Sequence, residues 1–133
     1  IYTNGYLFLE KFNERKLNID AVQQYEIDQV YYKKIKYGGD ITLEDGRVIP
    51  NSELTFDPDT PKSYAFCSDT VYNEDILSLI ENVDVLYHES TFLESEALLA
   101  EKTMHSTAKE AARIALKANT KNLENDVRIP TYS

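Results

Sequence analysis

Both histidines of this chain lie within LYHESTFLESEALLAEKTMHSTAKEAA, residues 86–112, each with Ser or Thr close behind it. His105, in MHST, falls in a short link between two helical stretches, where an imidazole could exchange a proton with a reacting group near neutral pH. Ser106 and Thr107 place hydroxyls beside a helix N-terminus, whose unpaired N–H groups and dipole favour an anion such as phosphate. The plainer reading is that Ser106 or Thr107 caps the next helix and His105 is incidental. Asp69 ends the apolar run of FCSDT; a carboxylate there could bridge two divalent ions, or could simply cap the turn before VYNEDI. His88 and Glu89 follow DVLY directly, and strand alternation sets them on opposite faces, so one at most points into a given site. For His88 alone, a satisfied structural histidine is the ordinary reading.

Other reactive residues say less. Cys67 has no second cysteine and no adjacent basic residue, which favours a buried structural thiol over a nucleophile. Lys33, Lys34 and Lys36 alternate with Tyr31, Tyr32 and Tyr37, a run that is usually a solvated helix face but that also suits contact with phosphates and stacked bases. There is no glycine-rich phosphate loop, no zinc-finger spacing and no G-x-S-x-G elbow. Two histidines cannot by themselves build a dinuclear zinc site.

The elements that must position these residues can be outlined from periodicity. Residues 5–12 read as a strand and 15–20 as a second, short one. Asp20 is expected to cap the helix that follows, and Asp28 a helix within 28–40 that Gly38-Gly39 stops. ITLEDGRVI (41–49) alternates around Asp45-Gly46, the pattern of a hairpin. Strands are expected at 63–69 and 84–90, with helices at 73–83, 94–103 and 107–118. Strands alternating with helices predict an α/β layered fold, in which chemistry collects at the carboxyl ends of strands. Ser68-Asp69 and His88-Glu89 both fall there.

The chain has 133 residues, one cysteine and a formal net charge of −9. That length fits one modest domain or a piece of a larger one. The charge argues against broad, nonspecific binding to nucleic acid or anionic membrane, though not against a local basic patch. The lone cysteine, with no long apolar run and no leader or lipid motif, points to a cytoplasmic protein. The opening IYTNGYLFLE starts in a strand without an initiating Met, which suggests that the natural chain begins earlier.

Four motifs, TLEDGRVI, SYAFCSDT, DVLYHESTF and HSTAKEAARIA, resemble in order and separation the second half of ribonuclease Z, the tRNA 3′-processing endoribonuclease of the metallo-β-lactamase superfamily. The resemblance runs from about residue 5 to 118 and implies a partial metallo-β-lactamase fold. It implies Asp69 as a ligand bridging two zinc ions and His105 as the proton donor to the leaving 3′-oxygen. It also implies Glu89 as the support of His105, with Ser106, Thr107 and His88 on the phosphate side. Residues from about 11 to 52 would be the inserted arm that grips the tRNA body through Tyr32, Lys33, Lys34 and Lys36. Precursor tRNA as partner and a homodimer are implied for the intact protein. The family's H-x-H-x-D-H run is absent from this chain. Residues 119–133 show neither the apolar strand nor the histidine expected after KA.

Two functional classes therefore stand. In one the chain is part of a zinc-dependent endoribonuclease that needs the absent ligands. In the other it is a catalytically incomplete module that binds tRNA or another subunit.

Overall fold

The computed structural model describes residues 2–126. In chain order its elements are strand β1 (Tyr6–Leu9), β2 (Lys16–Leu17), helix α1 (Ile19–Gln24), a 3-10 turn (Gln29–Tyr31) running into α2 (Tyr32–Lys36), and β3 (Ile41–Thr42). There follow β4 (Val48–Ile49), α3 (Asn51–Leu54), β5 (Thr55–Phe56), β6 (Ser63–Cys67), α4 (Leu77–Ile80) and β7 (Val85–His88). The last are α5 (Ala97–Thr103), α6 (Ala108–Lys117) and β8 (Asn122–Glu124). Contacts divide the described residues into two units, one of residues 2–10 and 62–126 and the other of Lys11–Pro61.

The first unit is a four-stranded sheet in the order β1-β6-β7-β8. β1 runs antiparallel to β6, while β6, β7 and β8 are mutually parallel neighbours. The parallel pairs require crossovers, which α4 supplies between β6 and β7, and α5 with α6 between β7 and β8. Alternation along the strands sorts the faces. Ala65 and Cys67 of β6 and Leu86 of β7 pack with Ile80, Val83, Ile114, Ala115 and Ala118 into one buried cluster. The other face carries rings: Phe8 lies 6.1 Å from Tyr64, and Phe66 stacks on Tyr87 at 4.8 Å. Asp84 ties the strand starts together, accepting from Ser63 N and Oγ and pairing with Lys121 at 2.6 Å.

The second unit pairs β2 with β5 and β3 with β4, both antiparallel, around a core of Val22, Ile27, Ile35, Ile41, Ile49 and Leu54. The β3–β4 hairpin turns where Asp45-Gly46 predicts. Gly46 has φ +88, and Asp45 Oδ1 accepts from Arg47 N at 3.0 Å. Gly38, at φ +92, follows the end of α2, a position that a side chain would strain.

Several expectations need correction. Asn18, not Asp20, caps α1: its Oδ1 accepts from Ala21 N at 3.3 Å, and Asp20 sits inside the first turn. The short helix expected within 28–40 is present as read, capped by Asp28 and stopped before Gly38-Gly39, as a 3-10 turn followed by five α-helical residues. The segment 73–83 yields only a 3-10 turn and the four residues of α4. The segment after KA does form a strand. β8 extends the sheet from β7 with Leu86 opposite Leu123, although only Leu123 in it is strongly apolar. An edge strand needs backbone pairing and one apolar contact, not a continuous apolar run. The rest of that tail, 127–133, lies outside the described residues.

Candidate active site

The carboxyl ends of β6 and β7 sit side by side, with Cys67 opposite His88 in the parallel register. The pairing continues one step further, since Glu89 N donates to Cys67 O at 2.9 Å. That step turns the Glu89 side chain into a group of converging donors. Its Oε1 accepts from Thr70 N at 3.0 Å and faces His105 Nδ1 at 2.8 Å. Its Oε2 accepts from Thr91 N at 3.1 Å and Thr91 Oγ1 at 2.6 Å. Burial by itself would raise the Glu89 carboxyl, whose side chain is only 5% exposed. The hydrogen bonds from Thr91 and His105 outweigh it and hold the group below its ordinary range. Glu89 is thus a buried, ionised acceptor at neutral pH.

An ionised carboxylate can only accept, so His105 Nδ1 carries the proton. Nε2 is then the nitrogen left for exchange with an external group. The ring is 31% exposed, open enough for that exchange. Its backbone is fixed by the end of α5. Met104 takes a left-handed conformation at φ 63, and His105 N donates to Ala100 O at 2.9 Å. Phe92 flanks the imidazole at 6.0 Å. The two loops are also joined by backbone bonds, Phe92 N to Ser106 O and Ala108 N to Phe92 O.

Ser106 and Thr107 are wholly buried, and their hydroxyls are in use. Ser106 Oγ donates to Thr70 O at 2.5 Å. Thr107 caps α6 in a reciprocal pair with Glu110 and also donates to Glu94 Oε2 at 3.1 Å. The helix N-terminus that sequence offers to a phosphate is therefore filled by its own cap, with the Glu94 and Glu110 carboxylates beside it. His88 is likewise fully buried. Its Nδ1 donates to the Glu89 carbonyl at 2.8 Å, and burial pushes the imidazole below its usual range, so it is neutral. His88, Ser106 and Thr107 are all wholly buried in this arrangement.

Asp69 lies two residues beyond β6, exposed, with φ 48, and Thr3 Oγ1 donates to its carbonyl at 3.0 Å. Thr70 connects it to Glu89 and so to His105. Among the described residues, no three His, Cys, Asp or Glu side chains gather as a metal would need. The residues of this chain do not by themselves fit a zinc pair. Cys67 is buried, and burial pushes its thiol up, as a structural thiol requires.

In the second unit, Lys33 and Lys34 are exposed, while Lys36 sits 3.7 Å from Glu14 and Tyr32 packs against the core. Thr70 and Thr91 are functional candidates that the sequence reading passed over. Their only sequence signal is their place immediately after Asp69 and two residues after Glu89. Among the described residues, no helix is long and apolar enough to cross a membrane.

No protein-family model matches the chain. Curated relatives named ribonuclease Z do. That of Porphyromonas gingivalis is 49% identical over 119 residues, covering 90% of this chain and 39% of the relative. That of Synechocystis is 37% identical over 130 residues, covering 97% of this chain and 40% of the relative. Among solved structures, a long form RNase Z from yeast aligns over 86% of this chain and 16% of its own, at 21% identity and a TM-score of 0.49. A metallo-β-lactamase fold protein from Bacillus subtilis aligns over 54% of this chain and 29% of its own, at 23% identity and a TM-score of 0.48. Overlaps that loose carry no argument of their own. In sequence, the chain is similar to part of the relatives named ribonuclease Z and spans 39% of the length of the Porphyromonas gingivalis one.

Proposed function

We propose that this chain carries the proton-transfer side of an endoribonuclease that removes 3′ trailers from tRNA precursors. The single observation that carries the reading is the Glu89–His105 pair at 2.8 Å, a buried carboxylate fixing the tautomer of an accessible imidazole. With Nδ1 held, protonated His105 delivers its Nε2 proton to the leaving 3′-oxygen as the phosphodiester bond breaks, then recovers one from solvent. Glu89 orients the ring without itself taking the proton. The similarity to ribonuclease Z supports the choice of a phosphodiester in tRNA as substrate.

Zinc enters only through Asp69, which would lend one carboxylate to ligands that this two-histidine chain does not hold. When bound, such ions supply a hydroxide and neutralise phosphate charge. Catalysis therefore belongs to the intact protein, for which cytoplasmic location and a homodimer are part of the same proposal. Residues from about 11 to 52 act as the tRNA-gripping arm, using Tyr32, Lys33, Lys34 and Lys36.

The test is cleavage of a precursor tRNA by the intact protein with His105→Ala and with Asp69→Ala. Each should cost at least about a hundredfold in kcat, the usual scale of a general acid, while tRNA affinity holds. Near-parental cleavage by both variants would remove the assignment.

The incomplete donor set favours one second reading. If this chain alone binds tRNA in a salt-sensitive way that survives His105→Ala but not loss of Lys33, Lys34 and Lys36, it is a binding module.

A further inference from the structure

The peptide after Asp69 is gripped at both ends by side chains from elsewhere in the sequence. Thr70 N donates to Glu89 Oε1 at 3.0 Å, and Thr70 O accepts from Ser106 Oγ at 2.5 Å. Glu89 belongs to the loop after β7, and Ser106 stands next to His105 in the loop before α6. Both are buried, with Ser106 at 0% exposure. The preceding residue, Asp69, has φ 48, a conformation that most side chains resist and that persists only where neighbours hold it. Thr3 adds a third tie through the Asp69 carbonyl. Three successive backbone groups of an otherwise irregular turn are thereby fixed.

We infer that Ser106 is a positioning residue: its hydroxyl locks the Asp69-Thr70 turn to the His105 loop, so that the Asp69 carboxylate and the imidazole are held as one rigid unit. This assignment takes Ser106 away from the phosphate. A serine hydroxyl with no exposed surface, already donating to a backbone carbonyl, cannot also meet a substrate anion. The geometry shows why this position needs a small side chain with a donor. Alanine would leave the Thr70 carbonyl without its partner, and a larger residue would meet a filled interior. Glu89 and Ser106 then act as the two halves of one clamp, the first also holding the imidazole and the second holding only backbone.

Only the catalytic consequence rests on the function proposed above; the mechanical claim does not. The experiment is amide hydrogen exchange of the purified protein without RNA, comparing the parent with Ser106→Ala. Losing one hydrogen bond should speed exchange at Thr70 by about five- to tenfold, with Leu86 and Ile114 in the core unchanged. Exchange at Thr70 within twofold of the parent would overturn the inference, as would an equal rise at the core amides. If Ser106→Ala does not fold, Ser106→Cys, close in size with a weaker donor, should show the same local effect at smaller amplitude. An unchanged Thr70 amide there overturns the inference equally.

With the intact protein and precursor tRNA, Ser106→Ala should lower kcat and leave KM and the salt dependence of binding alone. A raised KM with kcat unchanged would return Ser106 to the phosphate and sink the clamp. If the parent cuts no RNA, the function reading fails, and the exchange result still decides the clamp.

Discussion

Replacing Glu89 with glutamine tests the centre of the site with little change in shape. The carboxylate serves four donors, two on each oxygen: Thr70 N and His105 Nδ1 on one, Thr91 N and Oγ1 on the other. A glutamine keeps one oxygen and turns the other into an NH2 that can only donate. The least costly orientation puts the nitrogen toward Thr91, whose hydroxyl can rotate to accept. Thr91 N cannot, so at least one backbone N–H is left facing a donor. An orphaned donor of this kind costs about 1–3 kcal/mol, and the lost charge weakens the bond to His105 further.

The assay is equilibrium urea unfolding of the parent and Glu89→Gln across pH. Because Glu89 is held below its ordinary carboxyl range in the fold, its stabilisation is complete above about pH 5. It disappears as the pH falls through the lowered folded value. The gap between the two proteins should therefore be widest near pH 7 and close in acid. Thr91→Val, which removes the hydroxyl but keeps the shape, should cost less in the Gln background than in the parent. A Glu89→Gln protein within about 0.3 kcal/mol of the parent at pH 7, well under the penalty for an orphaned donor, would refute the account.

Other expected outcomes follow from single contacts. Changing Lys33 and Lys34 together to Ala should reduce the salt slope of tRNA binding by roughly 1.5 and leave the urea midpoint unchanged, since both side chains are exposed. Asp84→Asn should lower stability at neutral pH. Lys121 and the Ser63 backbone and hydroxyl hold the Asp84 carboxyl down to about 2. Its contribution is therefore present above the usual aspartate range, and the difference should shrink as the pH falls toward that value. Ile114→Ala, wholly buried between α6 and the sheet, should cost about 2–5 kcal/mol in urea unfolding.

Local chemistry made much of this protein legible in its sequence. Asp45-Gly46 requires a turn whatever surrounds it, because only glycine takes φ +88 without strain. Thr107, with Glu110 three residues on, forms the cap of α6 from neighbours alone. The polar residues at the ends of SYAFC and VLYH named the place to look for chemistry. The helix expected over 73–83 was overextended, because a 3-10 turn takes its first half. Asn18 took the cap of α1 in place of Asp20, a one-turn choice that propensity cannot make.

Tertiary structure alone decided which polar groups are free and which are committed. Glu89 and His105 are 16 residues apart, and Ser106 and Thr70 are 36 apart. They meet because β6 and β7 pair in parallel and the chain crosses back over the sheet. No local rule brings them together. That register also hides His88, Ser106 and Thr107, three residues whose types alone invite a phosphate. It leaves the His105 ring partly accessible. Sequence supplied the reactive residue types and the strand ends that carry them, because turns, caps and alternation are short-range. The hydrogen bonds that turn those residues into a site are long-range, and only the folded sheet selects their partners.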